Sequence, residues 1–242
     1  MKVIGVIPSR YGSTRLQGKP LVDVLGKPLV WWVYQRALKA TGIDEIVVAT
    51  EDERVIEACN DNGMNCILTS DKHDTPTSRI YEVSTKIEGD YFAFISGDEP
   101  LIDIASIEKV IAQAREGVDS VVSSMTRIKS SSAVIDYSNI KVTVNDDGYL
   151  LYTTRSPIPY PKGSLDFDYM KFVGICVFSR NALKQFNDTE KSKLEMIEEC
   201  DLLRFITKGI PVKMVEIFGE SLSVDTLKDL EYIRNVISKQ GV

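Results

Sequence analysis

Val3-Ile4-Gly5-Val6-Ile7-Pro8-Ser9-Arg10-Tyr11-Gly12-Ser13-Thr14-Arg15-Leu16-Gln17-Gly18-Lys19-Pro20 opens the chain. Val3 to Ile7 reads as a buried first strand, and Pro8 to Pro20 packs three cations, three aliphatic hydroxyls and two glycines into a loop. Such a loop suits polyphosphate, because glycine lets backbone N–H groups approach an anion while arginine and lysine meet its oxygens. The spacing is neither that of a P-loop nor that of a dinucleotide fingerprint, so the expected phosphate site is of another kind.

Working outward, strand and helix patterns alternate. Leu25-Gly26-Lys27-Pro28 is a turn, and Leu29 to Ala40 reads as the first helix, stopped by Gly42. Glu45 to Ala49, Asn65 to Leu68, Tyr91 to Ile95 and Ser120 to Met125 read as further strands. Helices are expected to about Asn60 and Ile87, and over Ile104 to Arg115. This alternation predicts a largely parallel sheet covered on both faces, with ligands at the carboxyl ends of its strands. From Thr126 the pattern changes to antiparallel. Ile140 to Val144 and Tyr149 to Thr153 flank an Asp147-Gly148 turn, and Phe172 to Phe178 is another strand. Ser192 and Glu195 fit a capping box for one helix running to about Ile206, and Val224 to Asp229 opens a terminal helix. The expected divisions are 1–125, a nucleotide-binding core; 126–178, an antiparallel insertion and dimer arm; and 179–242, the rest of the core.

Composition narrows the function. A net charge of −6 argues against nucleic acid as the main partner, since a phosphate-tracking surface needs a concentrated basic field. The first apolar run is too short for a signal peptide, and no stretch approaches a membrane span, so a cytoplasmic protein is expected. Cys59, Cys66, Cys176 and Cys200 form no C-x-x-C pair and read as buried reduced thiols. Trp31 and Trp32 read as core or interface anchors.

A second candidate site is Asp98, in Ser96-Gly97-Asp98-Glu99-Pro100 at the end of an apolar strand. A carboxylate there could hold magnesium together with substrate phosphate oxygens, or could cap the helix after Pro100. Asp225 is similarly open, because it could simply favour the terminal helix electrostatically, beside the capping-box-like pair Thr226 and Asp229.

Taken together the pieces are more specific. Pro8 to Pro20, Gly26-Lys27-Pro28, Ala49-Thr50, Gly97-Asp98-Glu99-Pro100, Arg155-Ser156-Pro157-Ile158-Pro159, Val173-Gly174-Ile175 and Val224-Asp225-Thr226 follow one another at the spacing of one family. The chain resembles the 3-deoxy-manno-octulosonate cytidylyltransferases, or CMP-Kdo synthetases, over nearly its full length. The resemblance implies a Rossmann-like α/β nucleotidyltransferase with a mainly parallel central sheet and an antiparallel dimerisation insertion, active as a homodimer. It implies that a sugar hydroxyl attacks the α-phosphate of CTP and that pyrophosphate leaves, in supply of an envelope polysaccharide. Carried over by position, Arg10, Arg15 and Lys19 bind the triphosphate, Pro8 and Ser9 lie beside the base, and Gly12 and Ser13 supply close backbone contacts. Asp98 and Asp225 are the Mg²⁺ carboxylates, and with Lys19 they form the catalytic set.

The departures from the family cluster on the sugar side. Ser96 stands where glutamine is usual, His73-Asp74-Thr75-Pro76-Thr77-Ser78-Arg79 keeps only His73, Thr77 and Arg79 of the usual loop, and Phe172 and Cys176 replace a histidine and a tyrosine. Asp201 and Leu202 fall where glutamate and glutamine are usual, and Gln17 replaces a proline. His73, Asp74, Arg79, Ser96, Phe172, Cys176 and Asp201 are therefore the expected acceptor-binding set. A pocket that hydrogen-bonds a hydroxyl discriminates strongly, so these changes leave room for a relative of Kdo, another ulosonic acid, an amino-substituted Kdo paired with Asp74, or a phosphonate. A catalytically silent nucleotide-binding regulatory protein is the alternative of another class.

Overall fold

The computed structural model describes residues 1–12, 16–117, 120–163, 167–218 and 222–239. Ser13 and Arg15 of the first loop lie outside them. The strands are β1 (Val3–Pro8), β2 (Asp23–Val24), β3 (Lys27–Pro28), β4 (Glu45–Thr50), β5 (Cys66–Leu68), β6 (Tyr91–Ile95), β7 (Val121–Arg127), β8 (Lys141–Val144), β9 (Leu150–Thr154), β10 (Met170–Ser179) and β11 (Lys213–Glu216). The helices are α1 (Leu29–Ala37), α2 (Glu53–Asp61), α3 (Pro76–Lys86), α4 (Ile104–Arg115), α5 (Ser131–Ile135), α6 (Arg180–Asn187), α7 (Lys193–Glu198), α8 (Leu202–Thr207) and α9 (Leu227–Lys239).

The main sheet runs β11-β7-β10-β6-β1-β4-β5. β1 pairs in parallel with β4 and β6, β4 with β5, and β7 with β11, so the alternating reading of the first half holds. β10 is the exception, antiparallel to both β6 and β7. Its first residues also pair with β8, which carries the β8–β9 hairpin beyond the main sheet.

Alternate side chains of the strands feed two cores, as the period-2 pleat requires. Val3, Ile7, Ile46 and Val48 pack with α1, α2 and α4 on one face; Ile4, Val6, Val47 and Phe92 pack with α3, α6 and α8 on the other. A third cluster joins Val24 and Leu29 to Val224, Leu230 and Ile233, docking α9 over the β2–β3 turn. Trp31 packs against the first core, while Trp32 packs against the third and donates to the Val24 carbonyl at 2.9 Å. The four cysteines are free thiols; Cys59, Cys176 and Cys200 are buried and Cys66 is partly so.

The single helix expected from Ser192 to Ile206 is two. The capping box of Ser192 and Glu195 forms, but Glu199 adopts φ 51° and ends α7, and α8 starts afresh after Asp201. A left-handed residue breaks the hydrogen-bond ladder, and a glutamate there gives no warning of it. Lys19–Leu21, at the end of the first loop, forms a 3-10 turn.

Candidate active site

The carboxyl ends of β1, β4 and β6 deliver the residues that the first loop needs. Ser9 N–H donates to the Ala49 carbonyl at 2.8 Å, continuing the β1–β4 ladder past Pro8. Tyr11 N–H then donates to Glu51 Oε1 at 2.9 Å, and Gly18 N–H closes the loop on the Tyr11 carbonyl. Glu51 is held in turn by Arg79, 2.8 Å away, whose guanidinium also reaches Thr69 Oγ1 at 2.5 Å. Arg79 is only 4% exposed, and that burial pulls its pKa down despite Glu51. Its guanidinium thus braces the first loop through Glu51, a contact that the motif pattern does not reveal.

The turn Ser96-Gly97-Asp98 sits against this loop because Gly97 has no side chain. A Cβ there would lie 2.8 Å from the Pro8 carbonyl oxygen and 3.1 Å from Ser9 Oγ. Gly174 plays the same part on β10, where a Cβ would come within 2.6 Å of Ser96 Cβ. Gly174 and Ile175 interrupt the register between the pairs Val173–Ser124 and Cys176–Ser123. Ser124 Oγ bonds the Val173 and Ile175 carbonyls, and the Gly174 carbonyl accepts from Ser96 N–H at 3.0 Å. Bulges of this kind re-aim side chains beside functional sites.

Asp98 and Asp225, 127 positions apart in sequence, meet here. The Asp98 carbonyl accepts from Val224 N–H at 2.8 Å, which anchors the start of the terminal segment to the end of β6. Lys19 Nζ lies 2.9 Å from Asp98 Oδ2 and 2.7 Å from Asp225 Oδ1. Ser96 Oγ donates to the other Asp98 oxygen at 2.7 Å. The helix after Pro100 is capped by Asp103, through Ser106 N–H, rather than by Asp98, and Asp229 with Thr226 fixes the start of α9 beside Asp225. Among the described residues no group of three or more His, Cys, Asp and Glu side chains is placed to hold a metal. Two hard oxygen donors without a full protein cage fit Mg²⁺, which is usually bound by one or two carboxylates with substrate phosphates and water.

Two adjoining clefts share Arg10, Asp74, Thr75, Pro76 and Phe94. The first, of about 290 Å³, is lined by Pro8, Ser9, Lys19, His73, Arg79, Ser96 and Asp98. The second, of about 560 Å³, is lined by Phe172, Cys176, Phe178, Lys191, Met196 and Asp201. Every expected acceptor residue therefore faces one cleft or the other. On Gly12 a Cβ would meet open space.

The 70–75 loop and the first turn of α3 form the divide. His73 is braced by Ser78 and by Glu82, whose Oε2 is 2.5 Å from Nε2. Partial burial pushes the Glu82 carboxyl up, but hydrogen bonds from Lys86, His73 and Ser70 N–H outweigh it and hold it at about 2. Asp74 is already paired with Lys191 at 2.5 Å, a partner that sequence reading missed, and this hydrogen bond lowers its pKa. Asp201 accepts from Thr77 Oγ1 at 2.5 Å, and burial raises its carboxyl. Burial likewise pushes the Cys176 thiol up and the Cys200 thiol to about 12, so neither is a ready nucleophile.

This arrangement has relatives. A sequence profile described as cytidylyltransferase matches residues 4–235. The 3-deoxy-manno-octulosonate cytidylyltransferase of Escherichia coli is 36% identical over 239 residues, covering 99% of this chain and 97% of the relative. The enzyme of that name from Geotalea daltonii is 37% identical over 253 residues and the whole of both chains. A solved structure of CMP:2-keto-3-deoxy-manno-octonic acid synthetase complexed with CTP superposes with a TM-score of 0.95 at 36% identity, covering 99% of this chain and all of that one. With identity at this level over the full length of the chain, it belongs to the cytidylyltransferase family, among its 3-deoxy-manno-octulosonate cytidylyltransferases.

Proposed function

We propose that this protein transfers CMP from CTP to the hydroxyl of an acidic sugar, Kdo or a close relative, and releases pyrophosphate. The carrying observation is that Lys19, Asp98 and Asp225 converge beside a phosphate-suited loop, with Lys19 and Asp98 lining the first cleft and the second cleft adjoining it. Arg10, Arg15 and Lys19 hold the triphosphate, with Pro8 and Ser9 against the base, and Gly12 and Ser13 offer the backbone of the loop. Asp98 and Asp225 hold Mg²⁺, which when bound supplies charge neutralisation on the triphosphate and leaving group. Ser96 and the Val224 N–H keep Asp98 in place for that task. No protein nucleophile is required, because a positioned hydroxyl and stabilised phosphate charge suffice for in-line transfer.

The acceptor lies in the second cleft, against Asp74, Phe172, Cys176 and Asp201, with His73, Arg79 and Ser96 on the side of the first cleft. Phe94, Phe172, Phe178 and Met196 make one wall apolar. That wall favours a second reading in which the acceptor is another ulosonic acid with fewer hydroxyls than Kdo. The Asp74–Lys191 pair weighs against an amino acceptor seated on Asp74, since the amine would have to displace Lys191. The exposed side chains Ile135, Tyr137, Leu151 and Tyr160 support reading 126–178 as a dimer arm. Among the described residues no helix is long and apolar enough to cross a membrane, which fits the cytoplasmic setting we propose.

The test is CTP-dependent pyrophosphate release with Mg²⁺ across Kdo, other ulosonic acids and phosphonates. Release with Kdo at low concentration supports the first reading, and preference for a less hydroxylated acid supports the second. No release with any acceptor, in a protein that binds CTP, would point to a silent regulatory protein.

A further inference from the structure

The lysine ammonium between Asp98 and Asp225 occupies the place where the proposed reaction needs a divalent cation. Its Nζ makes hydrogen bonds of 2.9 and 2.7 Å to the two carboxylates, and its side chain is only 14% exposed. The carboxylates do not need the lysine to be near each other, because the Val224 N–H bond to the Asp98 carbonyl ties the two segments through backbone and Ser96 fixes Asp98 from the other side. A lysine carries a point charge on a flexible stem, so it can leave such a pair without disturbing the fold.

We infer that Lys19 is a stand-in cation: it and the metal ion alternate on the Asp98–Asp225 pair, which makes metal binding conditional on the nucleotide. Without nucleotide, Lys19 offsets one of the two carboxylate charges and competes with the metal for their oxygens, since two cations within hydrogen-bond distance of one carboxylate pair repel. When a triphosphate arrives, its oxygens take the ammonium, and the carboxylates become available. Nucleotide and metal then strengthen each other's binding by the same factor, as linkage demands. Lys19 is in this sense a positioning residue for the metal as well as a phosphate ligand. The inference rests on the proposed metal role of Asp98 and Asp225.

Mn²⁺ titrated into nucleotide-free protein and followed by electron paramagnetic resonance tests it. Lys19→Met is expected to bind Mn²⁺ about tenfold more tightly than the parent, inside the usual range of coupling, and Asp98→Asn is expected to lose the site. Equal or weaker binding by Lys19→Met, where the parent's binding still depends on Asp98, overturns the exchange and leaves the metal reading standing. Failure of both proteins to bind Mn²⁺ through Asp98 overturns both. The unaltered protein gives a second measurement that no folding defect can confuse. Acylation of Lys19 by acetic anhydride, mapped by mass spectrometry, is expected to increase when Mg²⁺ alone is added; labelling unchanged by Mg²⁺ overturns the inference.

Discussion

The two clefts share a wall and are built by different means. The first is made at the carboxyl ends of the parallel strands β1, β4 and β6, where backbone hydrogen bonds and one missing side chain, that of Gly97, set positions. The second is made where the antiparallel β10 meets the break between α7 and α8, and its shape depends on side chains holding side chains. The first cleft should therefore fail by chemistry when altered and the second by packing or selectivity. Asp98→Asn tests the first half of that contrast. It removes one charge from the pair that Lys19 bridges while Ser96 and Val224 retain their hydrogen bonds. Turnover is expected to fall by roughly a thousandfold or more, in line with losing a preorganised electrostatic group. The melting temperature should remain close to the parent's, and a variant that instead unfolds would place Asp98 in the scaffold.

Arg204→Ala tests the other half. The Arg204 guanidinium makes a two-point contact with Glu195, at 2.7 and 2.5 Å, donates to the Phe186 and Thr189 carbonyls, and lies over the Phe186 ring. Glu195 is 3% exposed, so the substitution strands a buried carboxylate. The expected loss is roughly 3–5 kcal/mol of stability, read as a lower denaturant midpoint. Protein that remains folded in the absence of denaturant should still bind CTP, because the first loop is braced elsewhere, through Glu51 and Arg79.

Legibility in the sequence follows the same divide. Residues whose positions come from β-strand alternation and short-range turns could be read: Asp98 ends an apolar strand, Pro8 to Lys19 follow one, and Asp225 opens a helix. The order of motifs placed them at one site, but only the fold shows Lys19 bridging the two carboxylates, since a salt link between positions 19 and 225 leaves no local pattern. Arg79 belongs to the expected acceptor set as a residue kept from the family's loop, and the fold adds what that motif does not show: its guanidinium is held by Glu51 and Thr69. The α7–α8 break was hidden because its left-handed residue is Glu199 rather than glycine. Neither α5 nor α6 was foreseen; both are short, and their caps, Ser130 and Ser179, look like ordinary loop and strand-end serines.

The loop dividing the clefts offers a pH test. Glu82 ties His73 and Ser70 N–H to α3, and its carboxyl sits at about 2 against an ordinary value of 4.5. Because the folded value is depressed, its contribution is fully present above pH 4.5 and is lost as the pH falls toward 2. By linkage the contribution is at most roughly 3 kcal/mol, reduced by the group's remaining exposure to water. Melting curves from pH 6 to pH 3 should converge for the parent and Glu82→Gln. Curves that stay parallel would show that Glu82 carries no such linkage.

The smallest expected effect is also the most informative about the acceptor. Phe172 and Cys176 flank the bulge at Gly174, and both line the second cleft. Phe172→His combined with Cys176→Tyr restores the polar groups usual in the family without touching Asp98, Lys19 or Arg10. Cys176 is 2% exposed and contacts Ser123 Oγ at 3.0 Å, so tyrosine must grow toward the cleft, where there is room, rather than into the core. If the apolar wall sets selectivity, the double variant should shift kcat/KM toward the more hydroxylated acid by roughly 10–200-fold, equivalent to about 1–3 kcal/mol. The KM for CTP should stay put, because the first cleft takes its geometry from backbone contacts that neither residue makes. A change in CTP KM as large as that in acceptor preference would mean that the clefts are mechanically one, joined through the Gly174 carbonyl and Ser96 to Asp98.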